Sequence, residues 1–328
     1  MSMQPAIRIE DLTKDYAVGF WRRRPYRALD RLSLDIEQGE VFGFLGPNGA
    51  GKTTTLKLLM QLIYPTSGRA EILGRPVGDI AARHRIGYLP ENPSFYDYLT
   101  AEELLGYFGQ LFGYGPAERR KRVSALLDQV GIGVERKLQL RRFSKGMIQR
   151  VGIAQALLND PEVIFLDEPM SGLDPLGRRD VRSLILHLRD QGRTVFFSSH
   201  ILADAEALCR RVAVVAGGRL AASGTLADIL AFQVHGWELV VSNVSPEVLA
   251  RLTPAVRRAT EISPGRYALE LSLDQRPERV LGDLMAAGAA LISLNPLRDT
   301  LEDFFMKRVA EMGAGARAPH AEEARASH

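Results

Sequence analysis

The sequence holds one cysteine, Cys209, in 328 residues. No disulfide can form within the chain, which excludes a small fold stapled by bridges and fits a reducing cytoplasm. Long hydrophobic runs are also missing. The longest uninterrupted apolar stretch, "LMAAGAALI" at 284–292, has nine residues, whereas a membrane-spanning helix needs about 20. The first residues, "MSMQPAIRIEDLTK", have no apolar centre, so no secretory signal is expected. Net charge is small, +3 from 42 basic and 39 acidic residues. That balance argues against a nucleic-acid partner held by bulk electrostatics. The basic residues cluster in "WRRRPYR" (21–27), "ERRKR" (118–122) and "RKLQLRR" (136–142). Each cluster is read first as solvated surface, and second as contact with an acidic partner or lipid headgroups. What remains is a hydrophobic fraction of 46% and a charged fraction of 25%, the composition of a globular chain of one large or two ordinary domains.

The most specific stretch is "VFGFLGPNGAGKTTTLKLLMQLI", 41–63. Residues 41–45 are predicted as a short buried strand. Leu56, Leu58, Leu59, Leu62 and Ile63 then repeat at helical spacing. Between them lie Gly46, Pro47, Asn48, Gly49, Ala50, Gly51, Lys52, Thr53 and Thr54. Strand, glycine-rich loop and helix in this order are the context of a phosphate-binding loop. The glycines let successive backbone N–H groups point at phosphate oxygens. Lys52 can reach the terminal phosphates, and the Thr53 hydroxyl can bind Mg²⁺.

Two further strands end in chemistry-bearing residues. "EVIFLDEP" (162–169) carries Asp167, a candidate for completing Mg²⁺ binding, and Glu168, a candidate general base toward attacking water. "TVFFSSHIL" (194–202) ends at His200, which could hydrogen-bond the terminal phosphate. In "FSKGMIQR" (143–150) a serine, a lysine and a glycine stand where a helix begins. Free backbone N–H groups and the helix dipole make such a start a candidate anion site.

Taken together, Gly46–Thr53, "FSKGMIQR", "FLDEP", "SGLD" (171–174) and "SSH" resemble an ATP-binding cassette (ABC) ATPase subunit over roughly residues 6–230. The resemblance implies an α/β P-loop NTPase core with an antiparallel β subdomain and a helical subdomain. It implies ATP and Mg²⁺ as cofactors and ATP hydrolysis coupled to transport. It also implies that two subunits sandwich two nucleotides head to tail. Ser144 and Gly146 would then grip the γ-phosphate held by the partner, and Asp174 would link the sites across the dimer. Tyr16, in "LTKDYAVGF", matches the aromatic that stacks on adenine. Two departures stand out. The family's Leu-Ser-Gly-Gly-Gln is here Phe143-Ser144-Lys145-Gly146-Met147, and its usual glutamine before the signature is replaced by Glu91, which still offers an oxygen to Mg²⁺. "YLPEN" with "SKGM" is similar to the branch of drug, sodium and antibiotic exporters whose ATPase is encoded apart from its membrane subunit.

Along the chain, "AIRIEDL" and "ALDRLSLDI" are expected as antiparallel strands, and 95–158 as the helical subdomain. The nucleotide-binding domain is expected over 1–232, with no tandem cassette after it. Over 233–312 the pattern changes. "WELVVSNV", "RRATEIS", "RYALELSL" and "ALISLNPL" alternate like strands, while "SPEVLARL" and "RPERVLGDLMAAG" are predicted helices. The order β-α-β-β-α-β is the ferredoxin-like plan and predicts a small α+β domain, for which a part in regulation or dimerisation is the working hypothesis. "DTLEDFFMKRVAEM" (299–312) is predicted as an amphipathic helix and 313–328 as a disordered tail.

The function expected is the ATP-hydrolysing subunit of an exporter, peripheral on the inner face of the membrane, working with a second ATPase subunit and a separate transmembrane permease. The alternative is a soluble ATPase of the same class acting on ribosomes or nucleic acid. The single cassette, and a spacing of only 91 positions from Thr53 to Ser144, count against it. A binding module without turnover is the third class, and intact Lys52, Asp167 and Glu168 count against that.

Overall fold

The computed structural model describes residues 4–18, 24–229, 234–252 and 256–298. The described residues fall into two compact units, one up to Leu226 and one from Ala227.

The first unit opens with two long strands, β1 (Ile7–Val18) and β2 (Arg24–Ile36), paired antiparallel. After β3 (Val41–Leu45) and helix α1 (Lys52–Leu59), β4 (Ser67–Ile72) and β5 (Arg75–Pro76) complete a sheet of order β2-β1-β4-β5. A short helix α2 (Ile80–Arg83) leads into β6 (Ile86–Leu89). Three helices follow, α3 (Ala101–Leu111), α4 (Pro116–Gln129) and α5 (Lys145–Ala156). Each starts on a recognisable signal: a capping box between Thr100 and Glu103, Pro116 in the first turn, and Ser144 as N-cap. The chain returns through β7 (Val163–Leu166), α6 (Pro175–Asp190), β8 (Thr194–Ser199), α7 (Leu202–Leu208), β9 (Arg211–Ala216) and β10 (Arg219–Thr225). These build the second sheet, of order β10-β9-β3-β8-β7-β6, parallel from β9 to β6.

Strands β3, β7 and β8 are buried along their whole length. Their sequences are accordingly continuous apolar runs rather than alternating ones, as expected where both faces of a parallel sheet are covered. Phe196 stands at the centre, with ring centroids 5.9 Å from Phe42, 5.2 Å from Phe44 and 5.8 Å from Phe165. The same cluster takes in Ile7, Leu12, Leu29 and Ile36 from the first sheet, so one core joins the two sheets.

Helix α8 (Leu226–Ile229) starts at the last residue of the first unit, and the second unit continues through β11 (Val234–Ser242), α9 (Pro246–Leu252), β12 (Arg258–Ser263), β13 (Arg266–Ser272), α10 (Pro277–Ala286) and β14 (Ala290–Arg298). The sheet order is β12-β13-β11-β14, all antiparallel, which is the ferredoxin-like arrangement. Leu239, Val241, Leu269 and Leu271 meet Leu252 of α9 and Val280 and Leu284 of α10 in a separate core. The segments predicted as an amphipathic helix and a tail, 299–328, lie outside the described residues, as do residues 19–23 of the basic loop.

Two sequence-based expectations are corrected. The helical spacing through Ile63 predicts a longer α1, but the helix stops at Leu59 and Gln61 takes a left-handed φ of 52°. Strands β1 and β2 run well beyond "AIRIEDL" and "ALDRLSLDI". Register shifts between Ile9 and Asp15 break the two-residue period there, so apolar alternation could not be followed past Leu12.

Replacing Phe196 by alanine removes the ring shared by three others, and is expected to cost about 3–5 kcal/mol of stability. Urea unfolding followed by circular dichroism would read this as a lowered midpoint with little change in slope.

Candidate functional site

Because β3, β8, β7 and β6 are parallel neighbours, their carboxyl ends lie on one edge of the sheet. The segments leaving that edge are the glycine-rich loop, Ser199–His200, Asp167–Glu168 and Pro90–Glu91. Ligands in open α/β sheets bind at this edge. Here it carries a cavity of about 540 Å³, lined by Tyr16, Tyr26, Ala28, Pro47, Asn48, Gly49, Gly51, Lys52, Thr53, Thr54, Glu91, Glu168, Ser171 and His200.

The loop conformation requires its glycines. Gly51 has φ 105°, and a side chain there would also meet the Ala28 carbonyl oxygen at 2.7 Å. A Cβ on Gly46 would lie 2.4 Å from the Val215 carbonyl oxygen. Lys52 opens α1 and folds back over the loop. Its Nζ donates to Gly46 O at 2.7 Å and Pro47 O at 3.2 Å, and pairs with Glu168 Oε1 at 3.1 Å. Both partners of that ion pair are nearly inaccessible, 6% and 7% exposed, so each charge depends on the other for solvation.

Ser198, inside β8, organises the two carboxylates. Its Oγ donates to Asp167 Oδ1 at 2.6 Å and accepts the Glu168 N–H at 2.9 Å. Glu168 has φ 48°, a left-handed conformation that costs a non-glycine residue about 1 kcal/mol or more. His200 Nδ1 lies 2.8 Å from Glu168 Oε2. An ionised carboxylate only accepts, so the proton of that bond belongs to Nδ1. Burial pushes the Asp167 carboxyl above its usual range, hydrogen bonds from Ser198 and Thr53 oppose this, and the adjacent Glu168 charge adds to it. Burial, with Asp167 and Glu91 nearby, also pushes the Tyr88 hydroxyl up to about 12, which keeps it neutral.

Among the described residues no cluster of three or more His, Cys, Asp or Glu could hold a metal ion unaided. A smaller donor set suits Mg²⁺ bound together with phosphate. Asp167 Oδ2 is buried without a hydrogen-bond partner, and Thr53 makes a side-chain hydrogen bond to the same carboxyl. Oxygen donors of this kind fit a hard cation that keeps waters and substrate phosphates as its other ligands.

The predicted residues therefore separate into two groups. Tyr16, Pro47, Asn48, Gly49, Gly51, Lys52, Thr53, Thr54, Glu91, Glu168 and His200 surround one cavity. Gly46, Ala50 and Asp167 are buried just behind it. Ser144, Gly146 and Asp174 do not line it. They sit with one another instead. A side chain on Gly146 would touch Leu173, and one on Gly172 would collide with Lys145. Ser144 Oγ accepts the Met147 N–H at 3.3 Å and Asp174 Oδ1 the Gly177 N–H at 2.7 Å, so both side chains cap helices.

Sequence reasoning missed Ser198, Tyr26, Ala28, Ser171 and Asp204. The polar pair ending an apolar strand, "FFSS", was a signal for Ser198. Asp204 gave none. It is buried on α7, burial raises its carboxyl pKa, and the charges of Arg178 and Arg182 counter that rise.

The fold and the loop define a P-loop nucleotide-binding protein. The family described as ABC transporter matches residues 29–171. An ABC transporter ATP-binding protein of Synechocystis, itself uncharacterized, is 47% identical over 92% of this chain and 84% of its own. The Nod factor export ATP-binding protein I of Cupriavidus pinatubonensis is 37% identical over 71% of this chain and 72% of its own. A solved dimeric cassette in a post-hydrolysis state with ADP and Pi superposes with a TM-score of 0.61 at 27% identity, over 67% of this chain and 98% of that one. The chain belongs to the ABC transporter ATP-binding proteins, and is an ATP-binding, ATP-hydrolysing subunit of a transporter.

Ser198→Ala tests the hydrogen-bonded carboxylates. The folded pKa of Asp167 lies above its ordinary 3.8, so any stability linked to it is present below about pH 4 and lost as pH rises through the folded value. Removing the Ser198 donor raises that pKa further. The variant should thus lose more stability at pH 7 than at about pH 4, by about 1.5–3 kcal/mol. Urea titrations at the two pH values measure the difference.

Proposed function

We propose that this chain powers an exporter as a head-to-tail dimer, in which each cavity is completed by Ser144, Gly146 and Asp174 of the second subunit. The observation that carries the proposal is the separation of those three residues from the cavity lining of their own chain. Helix α5 offers the backbone N–H groups of its first turn to whatever lies in front of it. A second copy arranged head to tail would bring a γ-phosphate there. Export as the direction is supported by the relative named for Nod factor export.

In the proposed site Tyr16 stacks on adenine, and the loop from Gly46 to Thr54 holds the phosphates through its N–H groups and Lys52. Thr53, Asp167 and Glu91 would hold Mg²⁺, which when bound supplies positive charge to the β- and γ-phosphate oxygens. Glu168 accepts a proton from the water that attacks the γ-phosphorus, and the bond to the β-phosphate oxygen breaks, leaving ADP and phosphate. His200, already within hydrogen-bond distance of Glu168, orients that carboxylate and faces the γ-phosphate.

The permease is a separate chain, and this subunit sits at the inner face of the membrane. No helix among the described residues is long and apolar enough to cross a bilayer. Exposed Tyr96, Tyr98, Tyr107 and Leu111, on and before α3, give the helical subdomain an apolar surface suited to such a partner. The second unit, which begins at Ala227 where the sequence suggests 233, regulates or dimerises the cassette.

Glu168→Gln should keep ATP binding while slowing hydrolysis by roughly 10²–10⁴-fold, and wild-type turnover would remove Glu168 from the role. Ser144→Arg and Lys52→Ala should each be inactive alone. Mixing them gives dimers with one doubly damaged site and one intact site, so phosphate release should partly return. Weakened ATP binding by Ser144→Arg monomers that remain folded would overturn the assignment across the dimer.

A further inference from the structure

Tyr16 and Tyr26 are directly opposed partners in the β1–β2 ladder, so their side chains leave the same face of the hairpin. Both line the cavity that also contains the phosphate loop. Tyr26 is 52% exposed, an open aromatic ring rather than a core residue. The next pair along the ladder, Asp15 and Arg27, points to the other face and locks the register. Arg27 donates twice to Asp15, at 2.9 and 3.1 Å, and once to Asp30 at 3.3 Å. The Asp30 N–H donates to Gly218 O at 2.8 Å, which fixes the hairpin to the β9–β10 turn. Lys14 Nζ stands 5.3 Å from the centre of the Tyr16 ring and donates to the Tyr64 carbonyl oxygen at 2.7 Å. A cation anchored over Tyr16 leaves less of that ring free for a ligand.

We propose that Tyr26 is a second base-contacting residue, and that Tyr16 and Tyr26 together form the aromatic surface that receives the purine of ATP. This rests on the assignment of Tyr16 to the base. Ala28, two residues after Tyr26, lines the same cavity, and its carbonyl oxygen lies against Gly51 of the phosphate loop, so a nucleotide with phosphates on the loop has its base end directed at the pair. A preformed hairpin loses little conformational freedom on binding, so stacking on Tyr26 adds to affinity.

The test is calorimetric titration of the full chain and its Tyr26→Ala, Tyr26→Phe and Tyr16→Ala variants with ATP and with inorganic tripolyphosphate. Loss of one base–aromatic contact predicts that Tyr26→Ala weakens ATP binding about five- to a hundredfold. Tripolyphosphate binding should be unchanged, and Tyr26→Phe should stay within about twofold of the parent. If Tyr16→Ala weakens ATP and Tyr26→Ala does not, the proposal falls and the assignment of Tyr16 stands. If neither matters, the base lies elsewhere and both fall. Equal weakening of tripolyphosphate by Tyr26→Ala would show that the ring supports the hairpin instead. Equal loss in Tyr26→Phe and Tyr26→Ala would assign the effect to the hydroxyl and overturn stacking.

Discussion

Two neighbouring carboxylates, Asp167 and Glu168, are buried at the end of an apolar strand, 1% and 6% exposed. Burying like charges side by side is costly unless each has its own partners. The structure divides them. The left-handed turn at Glu168 separates the two side chains, so that Asp167 faces Ser198 and Thr53 while Glu168 faces Lys52 and His200. Ser198 serves both residues through one hydroxyl. The backbone strain is tolerated because β7 lies between β6 and β8 with its backbone held on both sides. The carboxylates thus depend on the register of the parallel sheet, and so does every group they touch.

That dependence explains why the site is built from distant segments. Lys52, Glu168 and His200 form a chain of contacts that spans three strand ends. A one-residue slip of β8 against β7 would turn Ser198 away from Asp167, leaving buried acceptors without donors. The aromatic cluster around Phe196, two residues before Ser198, is the packing that forbids such a slip. The large core and the hydrogen-bonded site are consequences of the same strand alignment.

Much of this was legible in the sequence because it is local. The phosphate loop, the strand ends at Asp167 and His200, and the helix start at Ser144 each announce themselves within a few residues. So do the four strands and two helices of the second unit, whose alternation and prolines set their limits. Cross-strand facts were not legible. Nothing in "YRALD" says that Tyr26 stands opposite Tyr16, because register shifts within β1 erase the count. The early end of α1 was hidden because Leu62 and Ile63 continue the apolar spacing after the backbone has turned at Gln61. Asp204 was hidden because the charges that act on it, Arg178 and Arg182 of α6, are brought near it only by the fold.

The departures from the family signature have a physical account at the start of α5. Lys145 and Gly146 are the first two residues of that helix, and the N–H of the third, on Met147, is taken by the Ser144 hydroxyl. The donors left in the first turn are therefore backbone groups of Lys145 and Gly146, which any residue with helical dihedrals supplies. A glycine is not needed at 145 for that purpose. Lys145 is exposed, and its side chain lies over Gly172, where the absence of a Cβ leaves room for the ammonium. Gly146 packs its bare face toward Leu173 of the same loop. The signature helix and the "SGLD" loop are thus fitted to each other within one chain. A second subunit meeting one of them would meet both, which is what a composite nucleotide site across a head-to-tail dimer requires.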